Sequence, residues 1–137
     1  MASGIYDGFK ADLMNGEVDL EDDTIKVALL DDNHSFTAGD DTWADVSGNE
    51  ITEESGNGYT TGGETMAGKG VTEATTTKWD ATDVSWTSAT FTAYHAVIYD
   101  TTNSDSLIAS IDFGGAQTVA SGTFTIQWHT DGIITLT

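Results

Sequence analysis

The second half of the chain is a succession of threonine-rich and β-branched segments separated by turn residues, and this pattern restricts the fold more than any other feature. It predicts strands at residues 70–77, 84–87, 90–99, 106–113 and 122–128. Turn residues at 81–83, 101–105 and 114–117 separate these segments, and the sequence has no proline. Strands at this spacing predict a mainly β fold, either an antiparallel β-sandwich or a jelly-roll-like barrel.

One short helix is predicted at the N-terminus, over residues 3–15, with Ser3 as N-cap and Asn15-Gly16 as the stop. The apolar residues of this segment fall on one helical face: Ile5, Tyr6, Phe9, Leu13 and Met14. A helix with one apolar face needs something to cover it. The face either caps the protein's own sheet or docks to a neighbouring protein.

A first strand follows in "TIKVALLDD", where Ile25, Val27 and Leu29 alternate with other residues. Residues 33–63 then lose all periodicity. Because a long structureless loop is improbable in a compact domain, we expect an irregular excursion held by its aromatic residues, with a short helical turn near residues 43–46. We expect this excursion to carry contacts. Neither length nor pattern indicates a second domain, so residues 1–137 are predicted to form one β-sandwich domain.

The last sixteen residues, "GTFTIQWHTDGIITLT", suggest a hairpin. A three-residue loop at 130–132, with Gly132 in the left-handed conformation, pairs Trp128 with Ile134 and Ile126 with Leu136. A two-residue turn would split the apolar residues between the two faces. The three-residue loop is therefore predicted.

The charge is strongly negative, with 23 acidic residues against four Lys and a formal net charge of -19. Such a surface repels phosphate backbones and anionic lipids, so we expect neither nucleic acid nor a membrane as partner. The start of the chain lacks the features of a secretory signal, and no long apolar run occurs, so we expect synthesis in the cytoplasm and no membrane-spanning segment. With no Cys, the redox compartment cannot be inferred.

Motifs for chemistry are sparse, and we predict no catalytic residue, no cofactor and no metal site. The sequence has no GxSxG, P-loop, HExxH or dinucleotide fingerprint. His34, His95 and His129 share no motif, and alternation places His95 with Val97 and Tyr99 on one strand face, opposite Ala96 and Ile98. The acidic runs at residues 19–23, 31–33 and 39–41 lack EF-hand spacing, and solvated loops explain them, although calcium binding stays open.

The aromatic residues leave a second class of function open. Four of them could form a sugar-stacking platform on a β-sandwich: Trp43, Tyr59, Trp79 and Trp86. Tryptophans on strands more often pack a core or a subunit interface. A carbohydrate-binding module is therefore the less favoured alternative to a structural protein.

Five segments together resemble a family of small acidic proteins encoded among the virion structural genes of tailed phages: "GIYDGFKADLMNGEVDLEDDTIKVALLDD", "GNGYTTGG", "DVSWTSATFTAYHAVIYD", "DFGG" and "GTFTIQWHTDGIITL". The resemblance runs from Gly4 to Leu136 and involves packing and turn residues. It implies a non-enzymatic virion component, which we take to be a capsid decoration (cement) protein, with a neck or tail component as the alternative.

This assignment implies the virion as location, and the major capsid protein or other virion proteins, together with further copies of the chain, as partners. The residues expected at such an interface are the apolar face of the helix and the aromatics of the excursion: Ile5, Tyr6, Phe9, Leu13, Phe36, Trp43 and Tyr59.

Overall fold

The computed structural model describes residues 3–137, which contain eight strands and two α-helices. The strands are β1 Gly4–Ile5, β2 Ile25–Leu30, β3 Glu64–Thr65, β4 Gly70–Thr72, β5 Thr77–Asp80, β6 Val84–Asp100, β7 Ser106–Ile126 and β8 Ile134–Leu136. The helices are α1 Asp7–Asn15 and α2 Trp43–Val46, and a 3-10 turn, Ser47–Asn49, follows α2. None of the helices within residues 3–137 is long and apolar enough to cross a membrane.

The strands form two antiparallel sheets, with the order β1-β7-β6-β2-β3 in the larger and β4-β5-β8 in the smaller. The main core holds buried residues of both sheets, including Val27 and Ile98 from the larger and Trp79 and Ile134 from the smaller. A mainly β architecture of the sandwich type is therefore confirmed.

A second apolar cluster lies apart from this main core and contains Tyr6, Val46, Val97 and Tyr99. The excursion supplies Val46, and Phe36 and Trp43 pack against the cluster. Along β6, Ala96 and Ile98 belong to the main core whereas Val97 and Tyr99 belong to the second cluster, as the alternation predicts. β2 is likewise buried on both faces, because one core lies on each side of it.

β6 and β7 are much longer than predicted, with 17 and 21 residues. The predicted breaks near residues 88–89 and 114–121 are wrong, because bulges absorb the irregular residues while pairing continues on both sides. Ser88 and Ser121 have positive φ angles of 49° and 50° and lie at two successive register shifts, on either side of Ala89. The predicted turn at 114–117 is wrong for the same reason, since Gly114 and Gly115 lie within β7.

The predicted strand at 70–77 is instead two strands, β4 and β5, which pair as a hairpin through Val71 and Trp79. Residues 73–76 connect the two strands. Threonine is compatible with both strand and turn, so the composition did not reveal this turn.

The helix begins at Asp7, four residues later than predicted, because Gly4 and Ile5 pair with Ser110 and Ala109 of β7. Ser3 caps no helix, since its hydroxyl oxygen accepts a hydrogen bond from the backbone N–H of Asp112 over 2.9 Å. The predicted stop is confirmed: Gly16 has a φ of 73°, and its N–H reaches back to the last turn of the helix.

The C-terminal hairpin prediction is wrong, because β8 pairs with β5 of the smaller sheet and not with β7. The N–H of Trp128 donates to the Asp83 carboxylate over 2.9 Å, and the N–H of Ile133 donates to the carbonyl of Trp79 over 2.7 Å. The chain thus crosses between sheets, and Ile134 is buried opposite Trp79. Gly132 has a φ of 100°, the positive value expected of it.

The excursion contains the predicted helical turn, α2. A capping box between Thr42 and Asp45 stabilises its N-terminus. Phe36 and Trp43 of the excursion pack against the second cluster, Tyr59 lies in the main core, and Glu50 bridges to Leu30 at the edge of β2. Burial of its aromatic residues therefore replaces regular secondary structure in holding this segment.

Candidate interaction surface

An apolar groove of about 380 Å³ lies between α1 and the β4-β5-β8 sheet. Within residues 3–137, three large hydrophobic residues are exposed, and all three line this groove: Met14 at 90%, Leu136 at 58% and Val71 at 43%. They come from α1, β8 and β4, so three elements distant in sequence converge here. Exposed apolar residues that cluster in this way indicate a binding surface.

The groove has a rigid base, because Phe9, Trp79 and Ile134 are buried in the main core and also line it. The indole N–H of Trp79 donates to the carbonyl of Leu20 over 2.9 Å. This bond holds the loop after α1 against the smaller sheet, where Leu20 forms part of the groove wall.

The charge of the groove differs from that of the chain as a whole. None of its lining residues is acidic, and the polar ones are Lys10, Thr77 and Lys78, although the sequence carries 23 carboxylates. Lys10 pairs with exposed Asp7 over 3.0 Å, an exposed ion pair that contributes little to stability. Lys78 donates to the carbonyl of Thr130 over 2.8 Å, which leaves its charge without a neutralising carboxylate in the part of the chain that the structure describes.

Three of the residues predicted for an interface, Ile5, Phe9 and Leu13, meet at this groove. Phe9 is only 3% exposed, so it forms the base and leaves Ile5 and Leu13 at the surface. The face of α1 thus mainly caps the protein's own sheets, the first of the two interpretations of this helix. Sequence reasoning placed Met14 on that face but did not find Val71 or Leu136, because their position depends on the pairing of β5 with both β4 and β8.

The other four predicted interface residues lie elsewhere. Tyr6 is fully buried and packs on Phe36 with ring centroids 5.1 Å apart, and Trp43 stacks on Tyr99 at 4.7 Å. Tyr59 is 3% exposed in the main core. Tyr6, Phe9 and Tyr59 therefore offer almost no surface to a partner in this conformation, because the fold itself covers them. Phe36 and Trp43 remain partly exposed.

The structure does not support the sugar-stacking platform. Trp79, Trp86 and Tyr59 are each at most 3% exposed, and Trp43 is separate from them in the second cluster. Tyr59 and Trp86 instead belong to an internal aromatic group, with ring centroids 6.3 Å apart.

A buried polar cluster joins the excursion to β6 and β7. His34 and His95 are each 2% exposed, their rings are 5.0 Å apart, and His34 Nε2 lies 3.0 Å from the Ser110 hydroxyl. His95 Nδ1 is 3.9 Å from an Asp112 carboxylate oxygen, which is too long for a hydrogen bond. Burial and the neighbouring His95 hold the pKa of His34 below its usual value. Burial also raises the pKa of nearby Tyr6 to about 12.

The cluster contains the residue types of a hydrolase, and sequence reasoning did not bring them together. Its histidines and Ser110 are buried, so a substrate would not reach them in this conformation. Their contacts join three separate segments of the chain and hold the excursion against the larger sheet.

Asp100, at the end of β6, is a buried acidic residue. Asp100 is 0% exposed, and one of its carboxylate oxygens accepts hydrogen bonds from the N–H groups of Thr102 and Asn103. Burial and the adjacent Asp23 carboxyl raise its pKa to about 6. Across residues 3–137, no group of three or more His, Cys, Asp or Glu residues has an arrangement that could hold a metal ion.

A larger cleft of about 690 Å³ lies between β1, β7 and residues 126–134. Its walls mix apolar residues such as Ile111 and Phe113 with polar ones such as Gln117 and Gln127. It lacks the exposed large hydrophobic residues that surround the smaller groove. The smaller groove is therefore the stronger candidate for a binding surface.

The fold and the groove together define a β-sandwich protein with an exposed apolar groove. Comparison with known proteins adds no relative: no family model matches the chain, and no curated protein or solved structure shows significant similarity to it.

Proposed function

We propose that the protein is a non-enzymatic structural component that acts by adhesion through its surface. One observation carries this proposal: on a chain of net charge -19, the exposed large hydrophobics of residues 3–137 converge on one groove lined by no carboxylate. An apolar, carboxylate-free surface favours contact with another protein. The groups capable of acid-base chemistry in the histidine cluster are buried and serve packing.

The setting we propose is the virion of a tailed phage, and the role is that of a capsid decoration protein that stabilises the major capsid lattice. The virion setting rests on the resemblance of five segments between Gly4 and Leu136 to virion structural proteins. A β-sandwich with buried faces on both sides of its larger sheet suits a rigid building block. The acidic exterior suits a face exposed to solvent in a densely covered shell, since like charges limit unspecific aggregation.

The neck or tail component remains the alternative within the same class, and copy number separates the two. Quantitative mass spectrometry of purified virions, with the major capsid protein as internal standard, measures the ratio of the two chains. A ratio of the same order as the capsid subunits supports decoration, whereas a few copies per particle supports the neck or tail. Absence from intact virions would contradict both.

A second measurement tests adhesion directly. Recombinant protein is mixed with empty shells that lack it, and the bound fraction is measured by co-sedimentation. We expect saturable binding and an increase in the temperature at which the shells open. Shells whose stability does not change on saturation would contradict the decoration role.

A further inference from the structure

We infer that the apolar groove between α1 and the β4-β5-β8 sheet is the contact surface for a second copy of this chain, arranged about a twofold axis. This inference deepens the proposed structural role and rests on it, because it names the partner at one surface of the building block. It concerns purified protein alone, so it can fail while the virion role stands.

Electrostatics selects the face through which two copies can meet. Each copy carries a net charge of -19, so most pairs of surfaces would bring carboxylates together. The groove is lined by no Asp or Glu and holds two of the four lysines, Lys10 and Lys78. The exposed carboxylates Asp19, Glu21 and Glu73 lie beside lining residues along the chain, so Lys78 of one copy can approach a carboxylate at the edge of the other copy's groove. This face therefore combines the least repulsion with apolar surface to bury.

The shape of the groove also suits contact between two identical copies, because the same face has both a projection and a recess. Met14 is 90% exposed at the last turn of α1, and the recess beside it measures about 380 Å³. A twofold axis through the groove lets Met14 of each copy enter the recess of the other, as an isologous contact requires. The methionine side chain is flexible and polarisable, so it adapts to such a recess.

The edges of the contact come from the smaller sheet. Val71 lies on β4 and Leu136 on β8, the two outer strands of that sheet, and both are substantially exposed. A second copy would bury both side chains together with Met14. Association through this face thus removes from water the three exposed large hydrophobic residues of residues 3–137.

The test is the mass of the purified full chain in solution as a function of concentration and salt, by analytical ultracentrifugation. We expect a monomer–dimer equilibrium, with a limiting mass twice the 14.5 kDa of one chain. The dissociation constant of the dimer should fall severalfold when NaCl is raised to about 0.5 M, because salt screens the repulsion between the acidic copies. A monomer at all accessible concentrations and at both salt levels would overturn the inference.

Two variants locate the contact. Leu136→Asp adds a carboxylate to the groove and should abolish the dimer, and Met14→Gln should raise the dissociation constant at least tenfold. The matched control is Thr135→Asp, which adds the same charge to the same strand one residue away, on an exposed side chain outside the groove. Circular dichroism and thermal melting verify that each variant is folded. A dimer that persists in folded Met14→Gln and Leu136→Asp, or that dissociates equally in the control, would place the contact elsewhere and refute the inference.

Discussion

The hydroxyl of Tyr59 donates a hydrogen bond to the Glu50 carboxylate over 2.6 Å and accepts one from the N–H of Leu29 over 3.2 Å. β3 covers only the first part of β2, so the excursion supplies partners for the rest of that edge. The carbonyl of Leu29 accepts from the N–H of Ile51 over 3.0 Å. Side chain and backbone of the excursion thus replace a missing strand and protect the edge from other chains.

Removing the Tyr59 hydroxyl should destabilise the protein. In Tyr59→Phe, the N–H of Leu29 and the Glu50 carboxylate each lose a partner in a part-buried site, which should lower the free energy of unfolding by about 1–3 kcal/mol. Urea denaturation measures this change. The control is Tyr94→Phe, since the Tyr94 hydroxyl makes no hydrogen bond to residues 3–137 and its loss should change stability little. Equal effects of both substitutions would contradict the role of Tyr59.

Gly63 should tolerate no side chain. It has a φ of 82°, and a Cβ there would collide with the carbonyl of Val27 and lie 2.7 Å from the Cα of Ala28, both in β2. Gly63→Ala should therefore reduce the free energy of unfolding by about 3 kcal/mol or more, or prevent folding. The matched control is Gly48→Ala, where a Cβ would meet nothing within 4 Å and the change should stay within about 0.5 kcal/mol. Chemical denaturation of both variants measures the difference, and a stable Gly63→Ala protein would contradict the close approach of the two segments.

Asp100→Asn should stabilise the protein at neutral pH. The pKa of Asp100 is raised from 3.8 to about 6, so above about pH 6 the folded state must keep a charged carboxylate buried beside Asp23. This cost is absent below pH 3.8 and grows as the pH rises towards 6. The amide oxygen of asparagine can still accept from Thr102 and Asn103.

We therefore expect Asp100→Asn to gain about 1–3 kcal/mol at neutral pH and to lose that advantage as the pH falls towards 4. Thermal melting over this pH range measures the difference. A control is Asp22→Asn, an exposed residue of the neighbouring acidic loop. An advantage of Asp100→Asn that is independent of pH, or shared by the control, would contradict the assigned pKa.

His34 should impose the opposite pH dependence. Its pKa is lowered from 6.5 in the folded state by burial and by His95, while Asp31 and Asp112 oppose this shift. Its stabilising contribution is complete above pH 6.5 and is lost as the pH falls below that value, because protonation then favours the unfolded chain.

His34→Gln removes the titrating group but can still form a hydrogen bond with Ser110. The comparison is made in the Asp100→Asn background, which removes the opposing pH dependence of Asp100. There, the free energy of unfolding of the protein with His34 should decrease between about pH 7 and pH 5. His34→Gln should make this decrease smaller. The free energy of unfolding at several pH values provides the measurement. An unchanged slope would show that His34 is not the group responsible.

Local features of the fold follow directly from local sequence. β2, the stop of α1 at Gly16 and the turn at α2 are at the predicted positions, because two-residue alternation, a glycine with positive φ and a capping box act within a few residues. The alternation along β6 also predicts which side chains enter which apolar cluster.

The candidate surface could be predicted only in part. Ile5, Phe9 and Leu13 were recognised as one helical face, and they do meet at the groove. Val71 and Leu136 were not, because a strand segment shows which side chains share a face but not which strand will lie beside it. Tyr6 and Tyr59 were assigned to a surface because neither the packing of Phe36 on Tyr6 nor the burial of Tyr59 in the main core leaves a periodic signal in the sequence.

By itself, the sequence determined the β class, the strongly acidic character, the turn at residues 101–105 and the stop of α1 at Gly16, since backbone stereochemistry and side-chain alternation are properties of neighbouring residues. Only the tertiary structure decided that β8 joins β5 instead of β7, that bulges extend β6 and β7 through predicted breaks, and that Met14, Val71 and Leu136 share one groove. Those outcomes depend on burial of surfaces distant along the chain. Burying Ile134 against Trp79 favours the crossing between sheets over the local hairpin.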